Sequence, residues 1–330
     1  ELIGGPRGEF GYGIGSLPDG GVIITGAIEG ATTFGFGDPN QTILSTAPGV
    51  FDMFVARYNA GGDLSWARQA GGSSVDWGRD LETFSDGSSV IAGFFNGTGI
   101  FGQGDPNQTT LLSAGAEDVF IAKYNPNGTL AWAKRAGGAG TNFAEIAYSV
   151  DTFNDGSAIM SGVFVNTGIF GQGDPNQTTL ISEGNSDFFI AKYNPDGTLA
   201  WAKRAGGVVD TTNNNHHNSV SVFPDNSVVF TGTFQGTAVF GQGDPNQASI
   251  ISQGDGDIFI AKYNSDGTLA WGRRAGGLET DSPRGISAFG DGSFVVNGWF
   301  SGSAIFGQGD ANQTTLVSDG DTDIFLAKYN

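Results

Sequence analysis

The chain has 330 residues, with 34 acidic against 15 basic side chains, a formal net charge of −19, 56 glycines and no cysteine. That balance excludes a nucleic-acid partner, which needs a basic footprint, and the lack of cysteine excludes disulfides and thiolate metal sites. The sequence has no apolar run of the ~18 residues that a membrane-spanning helix needs. Excess acid suits a solvated, secreted or cell-surface protein, and a start at Glu1 rather than Met reads as a processed mature form or a fragment.

The first recurring element is Phe34-Gly35-Phe36-Gly37-Asp38-Pro39-Asn40-Gln41, and the motif returns from Phe101, Phe170, Phe240 and Phe306 at steps of 66 to 70 residues. A second marker, Ala56-Arg57-Tyr58-Asn59, returns as Ala-Lys-Tyr-Asn ending at Asn125, Asn194, Asn264 and Asn330. Five copies therefore fill residues 1–330 as one repeat domain. The third copy shows the order of elements. Residues 147–153 and 157–164 read as strands joined by the turn Asn154-Asp155-Gly156. A long excursion rich in Gly, Pro and Asn follows and reads as turns. Residues 187–194 and 198–205 are two more strands, joined by Pro195-Asp196-Gly197 and closed by Gly206-Gly207. No apolar period of 3.6 residues appears, so no helix is expected.

Four antiparallel strands per copy predict an all-β fold, a five-bladed β-propeller, with an open solenoid as the structural alternative. Phe189, Ala191 and Tyr193 on one side of a strand, with Phe188 and Ile190 on the other, fit a sheet packed on both faces. Trp66, Trp132, Trp201 and Trp271 mark the outer strands and are expected to bury against neighbouring outer strands and Tyr58, Tyr124, Tyr193 and Tyr263. Twelve of the fifteen basic residues sit in the two strands around each Asn-Gly or Asp-Gly turn, where they should pair with acids across strands.

The runs Asp-Gly-Ser followed by Gly-x-Phe, and Asp-x-Phe-Ile-Ala-Lys-Tyr-Asn-x-Asp-Gly-Thr-Leu-Ala-Trp-Ala-Lys-Arg-Ala-Gly-Gly, resemble the bacterial SBBP-type β-propeller repeat of secreted and surface proteins. The resemblance covers all five copies. It implies a propeller and an exported location, and no defined activity.

Binding groups are expected on the long loops, which share one side of each sheet. Seven residues before each turn aspartate stand Tyr12, Arg79, Tyr148, Asn218 and Arg284, with Trp77, Phe143 and His217 nearby. This asymmetric set of aromatic, Arg and Asn side chains is the candidate ligand rim. The repeated Asp38, Asp105, Asp174, Asp244 and Asp310 could hold Ca²⁺ through oxygen ligands, although one carboxylate per loop is also ordinary turn chemistry. No nucleophile elbow or cysteine nucleophile exists, the only histidines are the adjacent His216 and His217, and the unmatched acids Glu82 and Asp151 carry no further constellation. The chain is therefore read as non-enzymatic and free of a required cofactor.

The fifth copy reaches Asn330 without a Trp-bearing strand, while Glu1 to Gly5 aligns with the end of one. Glu1, Gly5, Asp323 and Asn330 are thus expected to meet in one blade whose edge contacts another subunit. The resulting expectation is a structural or surface protein working by self-association or adhesion. The alternative is a lectin-like propeller that binds glycans on its long-loop face.

Overall fold

The computed structural model describes residues 3–140, 145–183, 186–207 and 218–330. Glu1, Phe143, His216 and His217 lie outside them. Among the described residues the fold is all-β.

The first copy holds β1 (Glu9–Ser16), β2 (Val22–Glu29), β3 (Ala31–Phe34), β4 (Thr42–Ser45), β5 (Phe51–Tyr58) and β6 (Leu64–Gly72). The second holds β7 (Asp76–Thr83), β8 (Ser89–Phe101), β9 (Thr109–Tyr124) and β10 (Leu130–Ala136). The third holds β11 (Ile146–Thr152), β12 (Ala158–Phe164), β13 (Thr167–Phe170), β14 (Thr178–Ile181), β15 (Asp187–Tyr193) and β16 (Leu199–Gly207). The fourth holds β17 (Asn218–Val222), β18 (Val228–Phe234), β19 (Thr237–Phe240), β20 (Ala248–Ile251), β21 (Asp257–Tyr263) and β22 (Leu269–Gly277). The fifth holds β23 (Ser282–Ala288), β24 (Phe294–Phe306) and β25 (Thr314–Tyr329).

In the first copy the sheet order is β1-β2-β5-β6, every neighbouring pair antiparallel. The fourth repeats it as β17-β18-β21-β22. The excursion expected to be all turns is instead a small hairpin, β3 with β4 and β19 with β20. In the second and fifth copies its strands run on from the main ones through bulges at Asn96/Thr98 and Ser301/Ser303. The Gly, Pro and Asn cluster hid short strands such as Thr178–Ile181, whose alternating half-buried and exposed residues give period two over only four positions.

The Gly-Gly pair after each outer strand hands the chain to the next copy. Gly71 and Gly72 pair with Ile100 and Gly99, and Gly276 and Gly277 pair with Ile305 and Ala304. The second glycine is required by close approach: a Cβ on Gly72 or Gly277 would collide with the carbonyl oxygen of Thr98 or Ser303. Gly4 forms an antiparallel bridge with Thr33 of β3.

The chain gathers into two compact units. One comprises Glu1–Met160, Gly168–Thr178 and Tyr193–Ala200; the other comprises Ser161–Thr167, Thr179–Lys192 and Trp201–Asn330. The first has a core around Met53, Phe95, Phe101, Phe120, Tyr124 and Leu130. The second has its own around Phe223, Ile258, Phe294, Val296, Phe300 and Phe325. The tryptophans correct one expectation. Only Trp66 is buried, and each of the first three reaches the turn of the following copy. The Nε1 of Trp66 donates to Pro126 O (3.0 Å), that of Trp132 to Pro195 O (3.0 Å) and that of Trp201 to Ser265 O (3.3 Å). Gly128, Gly197 and Gly267 lie on these rings, where a Cβ would come within 2.7 Å, and their φ of about +82° also demands glycine.

Candidate binding sites

Tyr12, Arg79 and Arg284 occupy equivalent positions for a structural reason. The register shifts at Gly11/Gly13, Gly78/Asp80 and Pro283/Gly285, so each is the extra residue of a bulge. A bulge takes a residue out of the ladder and re-aims its side chain. In the first unit this brings four of the expected rim residues together. The Arg79 guanidinium lies 4.9 Å from the Tyr12 ring centre, 5.0 Å from Trp77, 5.6 Å from Phe94 and 5.8 Å from Tyr148. Phe10 extends the stack at 5.6 Å from Trp77, and Tyr12 lies 5.4 Å from it. Burial raises the Tyr148 phenol above its usual pKa against the pull of the Arg79 charge.

The Arg79 Nε and Trp77 Nε1 hydrogens are buried without an acceptor, while Phe10 and Tyr12 keep exposed ring faces. The arrangement is an aromatic box already filled by a cation. It disfavours a second cation. It suits a ligand that stacks on aromatic faces and offers oxygen acceptors to the guanidinium. Phe10 and Phe94 were not among the expected residues; alternation along β1 and β8 would have put them beside Tyr12 and Trp77. Asn218 and Arg284 belong to the second unit. Asn218 is buried and accepts a hydrogen bond from Ser161 Oγ (2.7 Å). Arg284 is exposed on the second unit, and burial of part of its side chain lowers its pKa.

Four of the five repeated loop aspartates act as strand clamps. The carboxylates of Asp38, Asp105, Asp174 and Asp244 accept the backbone N–H of Leu64, Leu130, Leu199 and Leu269, the first residue of each outer strand, at 2.6 to 2.8 Å. Lys134 and Lys203 from the preceding copies take the second oxygen of Asp174 and Asp244 at 3.4 and 3.2 Å. Asn40, Asn107 and Asn176 donate to the carbonyl of the same leucines. Among the described residues no three His, Cys, Asp or Glu side chains group closely enough to hold a metal ion. Asp310 differs: its carboxylate is held by Arg273.

A second set of acids was missed by the sequence reading. Asp52 and Asp76 crowd Gly71, where a Cβ would lie 2.5 and 2.7 Å from their oxygens, and Asp257 and Asp281 crowd Gly276 at the same distances. Asp76 accepts the N–H of Gly72 (2.8 Å) and Asn96 (3.2 Å); Asp281 accepts those of Gly277 (2.7 Å) and Ser301 (3.2 Å). Burial, helped by the facing Asp52, pushes the Asp76 carboxyl up to about 8; burial raises Asp281 to about 6. Such shifts often mark catalysis. Here the backbone donors and the crowding glycine assign the carboxyls to the junction between copies. The signal was an acid at a fixed distance after Gly-Gly. Arg135, Arg204 and Arg274 pair across the sheet with Asp118, Asp187 and Asp257, as the distribution of basic residues predicts.

A family model described as a β-propeller domain of unknown function, DUF5122, matches residues 178–199. An uncharacterized WD repeat-containing protein of Acanthamoeba polyphaga mimivirus is 24% identical over 268 residues, covering 72% of this chain and 19% of the relative. Regulatory protein FlaEY of Caulobacter vibrioides is 28% identical over 205 residues, covering 60% of this chain and 20% of the relative. The chain spans about a fifth of the length of these curated relatives. The matches support a β-propeller type of repeat.

Proposed function

We propose that this chain is a non-enzymatic, exported β-propeller of five four-stranded blades, closed by its terminal segments, that works by protein–protein contact in assembly or adhesion. One observation carries the contact reading. Ile324 and Leu326 of β25 are 88% and 73% exposed, whereas their counterparts Ile258 and Ile260 of β21 are 0% and 2% exposed. A bare apolar face beside an unpaired strand edge is a surface that proteins cover with further polypeptide. The exported location rests on the acidic surface and on the resemblance to secreted repeats. Self-association is tested by sedimentation over a wide concentration range with negative-stain microscopy. A concentration-dependent shift to rings or filaments supports the reading, and a chain that stays monomeric at high concentration overturns it.

A second reading is glycan binding, favoured by the exposed stack of Phe10 and Tyr12 beside Arg79. Its test is a glycan array probed with the wild type and Tyr12→Ala. Retention of every hit by the variant would remove the aromatic stack from the account.

A further inference from the structure

We infer that the Arg79 box of the first unit is a carboxylate subsite, and that the glycan it takes is an acidic one, built from sugars of the uronic-acid class. The inference deepens the glycan reading above by naming the chemistry of the ligand, and rests on that reading for the ligand being a sugar.

The other arginines of the chain are accounted for. Arg7, Arg57, Arg135, Arg204, Arg273 and Arg274 each pair with a carboxylate. Arg68 donates to the carbonyls of Gly128 and Ala67, and Arg284 is exposed to water. Arg79 is half-buried, and among the described residues its guanidinium has no hydrogen-bond acceptor. In a chain with 34 acidic side chains against 15 basic ones, an arginine left without a carboxylate is informative. The acid next to it is turned away. Asp80 gives one oxygen to the N–H of Leu81 (2.9 Å) and the other to that of Val150 (2.9 Å), and the bulge between Gly78 and Asp80 keeps it apart from Arg79.

The charge is thus held in place without being neutralised. The rings of Tyr12, Trp77, Phe94 and Tyr148 lie 4.9 to 5.8 Å from the guanidinium; they attract its charge and accept none of its hydrogens in the ring plane. Arg79 Nε and Trp77 Nε1 are both buried donors without an acceptor, and the guanidinium lies 5.0 Å from the Trp77 ring. Both residues belong to β7, which packs against β1 of the preceding copy and β11 of the following one. Two buried donors beside an unpaired cation specify what is missing, a negatively charged oxygen acceptor. The planar fork of a guanidinium matches a carboxylate. Next to it the rings of Phe10, Tyr12 and Trp77 lie within 21 to 27° of parallel, an apolar platform beside the charge. A uronic-acid ring offers a carboxylate to the fork and a C–H face to the platform. A neutral sugar offers only the second, and an acidic peptide only the first.

The test is calorimetric titration of the full chain with a trimer of galacturonic acid and, in parallel, with a trimer of galactose. Saturable binding of the acidic trimer is expected, at least about tenfold tighter than that of the neutral one. Arg79→Gln should bring the two trimers to equal affinity, whereas Tyr12→Ala should weaken both. In NMR spectra of the wild type the Trp77 indole N–H signal, identified by its loss in Trp77→Phe, should shift when the acidic trimer is added. Equal affinity of the wild type for the two trimers overturns the inference and leaves the glycan reading standing, provided that the array hits are lost in Tyr12→Ala. Hexaglutamate binding as tightly as the galacturonate trimer overturns the assignment to a sugar. A wild type that binds neither trimer and nothing on the glycan array removes both ideas together.

Discussion

The fourth and fifth copies share the Phe-Gly-Gln-Gly-Asp motif and use its carboxylate differently. Asp244 gives one oxygen to the N–H of Leu269 (2.8 Å) and the other to Lys203 (3.2 Å). Asp310 gives the first of these oxygens to the Arg273 guanidinium, the counterpart of that lysine. The same loop is thus a filled clamp in one copy and a clamp held by a charge in the other. The difference teaches what the motif does: it fixes where an outer strand begins, and the basic residue of the preceding copy steadies it. The apolar faces follow the same division, bare at Ile324 and Leu326 and covered at Ile258 and Ile260.

The comparison breaks first at those faces. Ile260→Ala should cost about 2–5 kcal/mol in chemical denaturation, as truncation of a buried aliphatic does, while Leu326→Ala should fall within about 0.5 kcal/mol of wild type. Equal losses would mean that the fifth face is covered in solution. Trp201→Ala comes next. The ring is only half-buried, so its removal should cost less than the about 3–5 kcal/mol of a fully enclosed tryptophan. A thermal denaturation series over Trp66, Trp132 and Trp201 should rank the buried Trp66 highest.

The clamps give a smaller and sharper contrast. Asp244→Ala leaves the Leu269 N–H without its acceptor and should cost about 1–3 kcal/mol. Asp310→Ala loses only an exposed ion pair and should cost under about 1 kcal/mol. Comparable losses would show that the fifth loop carries a strand after all.

The repeat, the all-β class and the strand order were legible because hydrophobic alternation and Asn-Gly or Asp-Gly turns recur in every copy. The short hairpins were not, since four residues such as Thr42–Ser45 carry too little alternation to outweigh flanking glycines and prolines. Tyr12, Arg79 and Tyr148 were found by counting back from the turn, which works because the equivalent positions share a bulge or its neighbourhood. Their convergence on one guanidinium was not legible, because it joins side chains from β1, β7 and β11, strands that do not pair with one another and that the sequence does not place side by side. The loop aspartates were read as candidate oxygen ligands because a sequence shows the carboxylate and hides the backbone N–H more than twenty residues later that it accepts.

A last contrast concerns pH. Asp76 has a folded-state pKa of about 8, above the usual 3.8. Between about 4 and about 8 the folded chain therefore holds a proton that the unfolded chain has released, and stability contributed by this group falls as pH rises through that window. Asp76→Asn should flatten the fall, seen as a Tm that varies less between pH 5 and pH 8. An unchanged slope would assign the pH dependence to other carboxyls.

Native-state hydrogen exchange of β21 against β25 tests the central contrast most directly. β21 has β18 on one edge and β22 on the other, whereas among the described residues β25 pairs with β24 alone. The amides along β21 should all be strongly protected. In β25 those bonded to β24 should be protected and the alternate ones, on the unpaired edge, should exchange orders of magnitude faster. Uniform protection along β25 in a dilute monomer would contradict an open fifth edge.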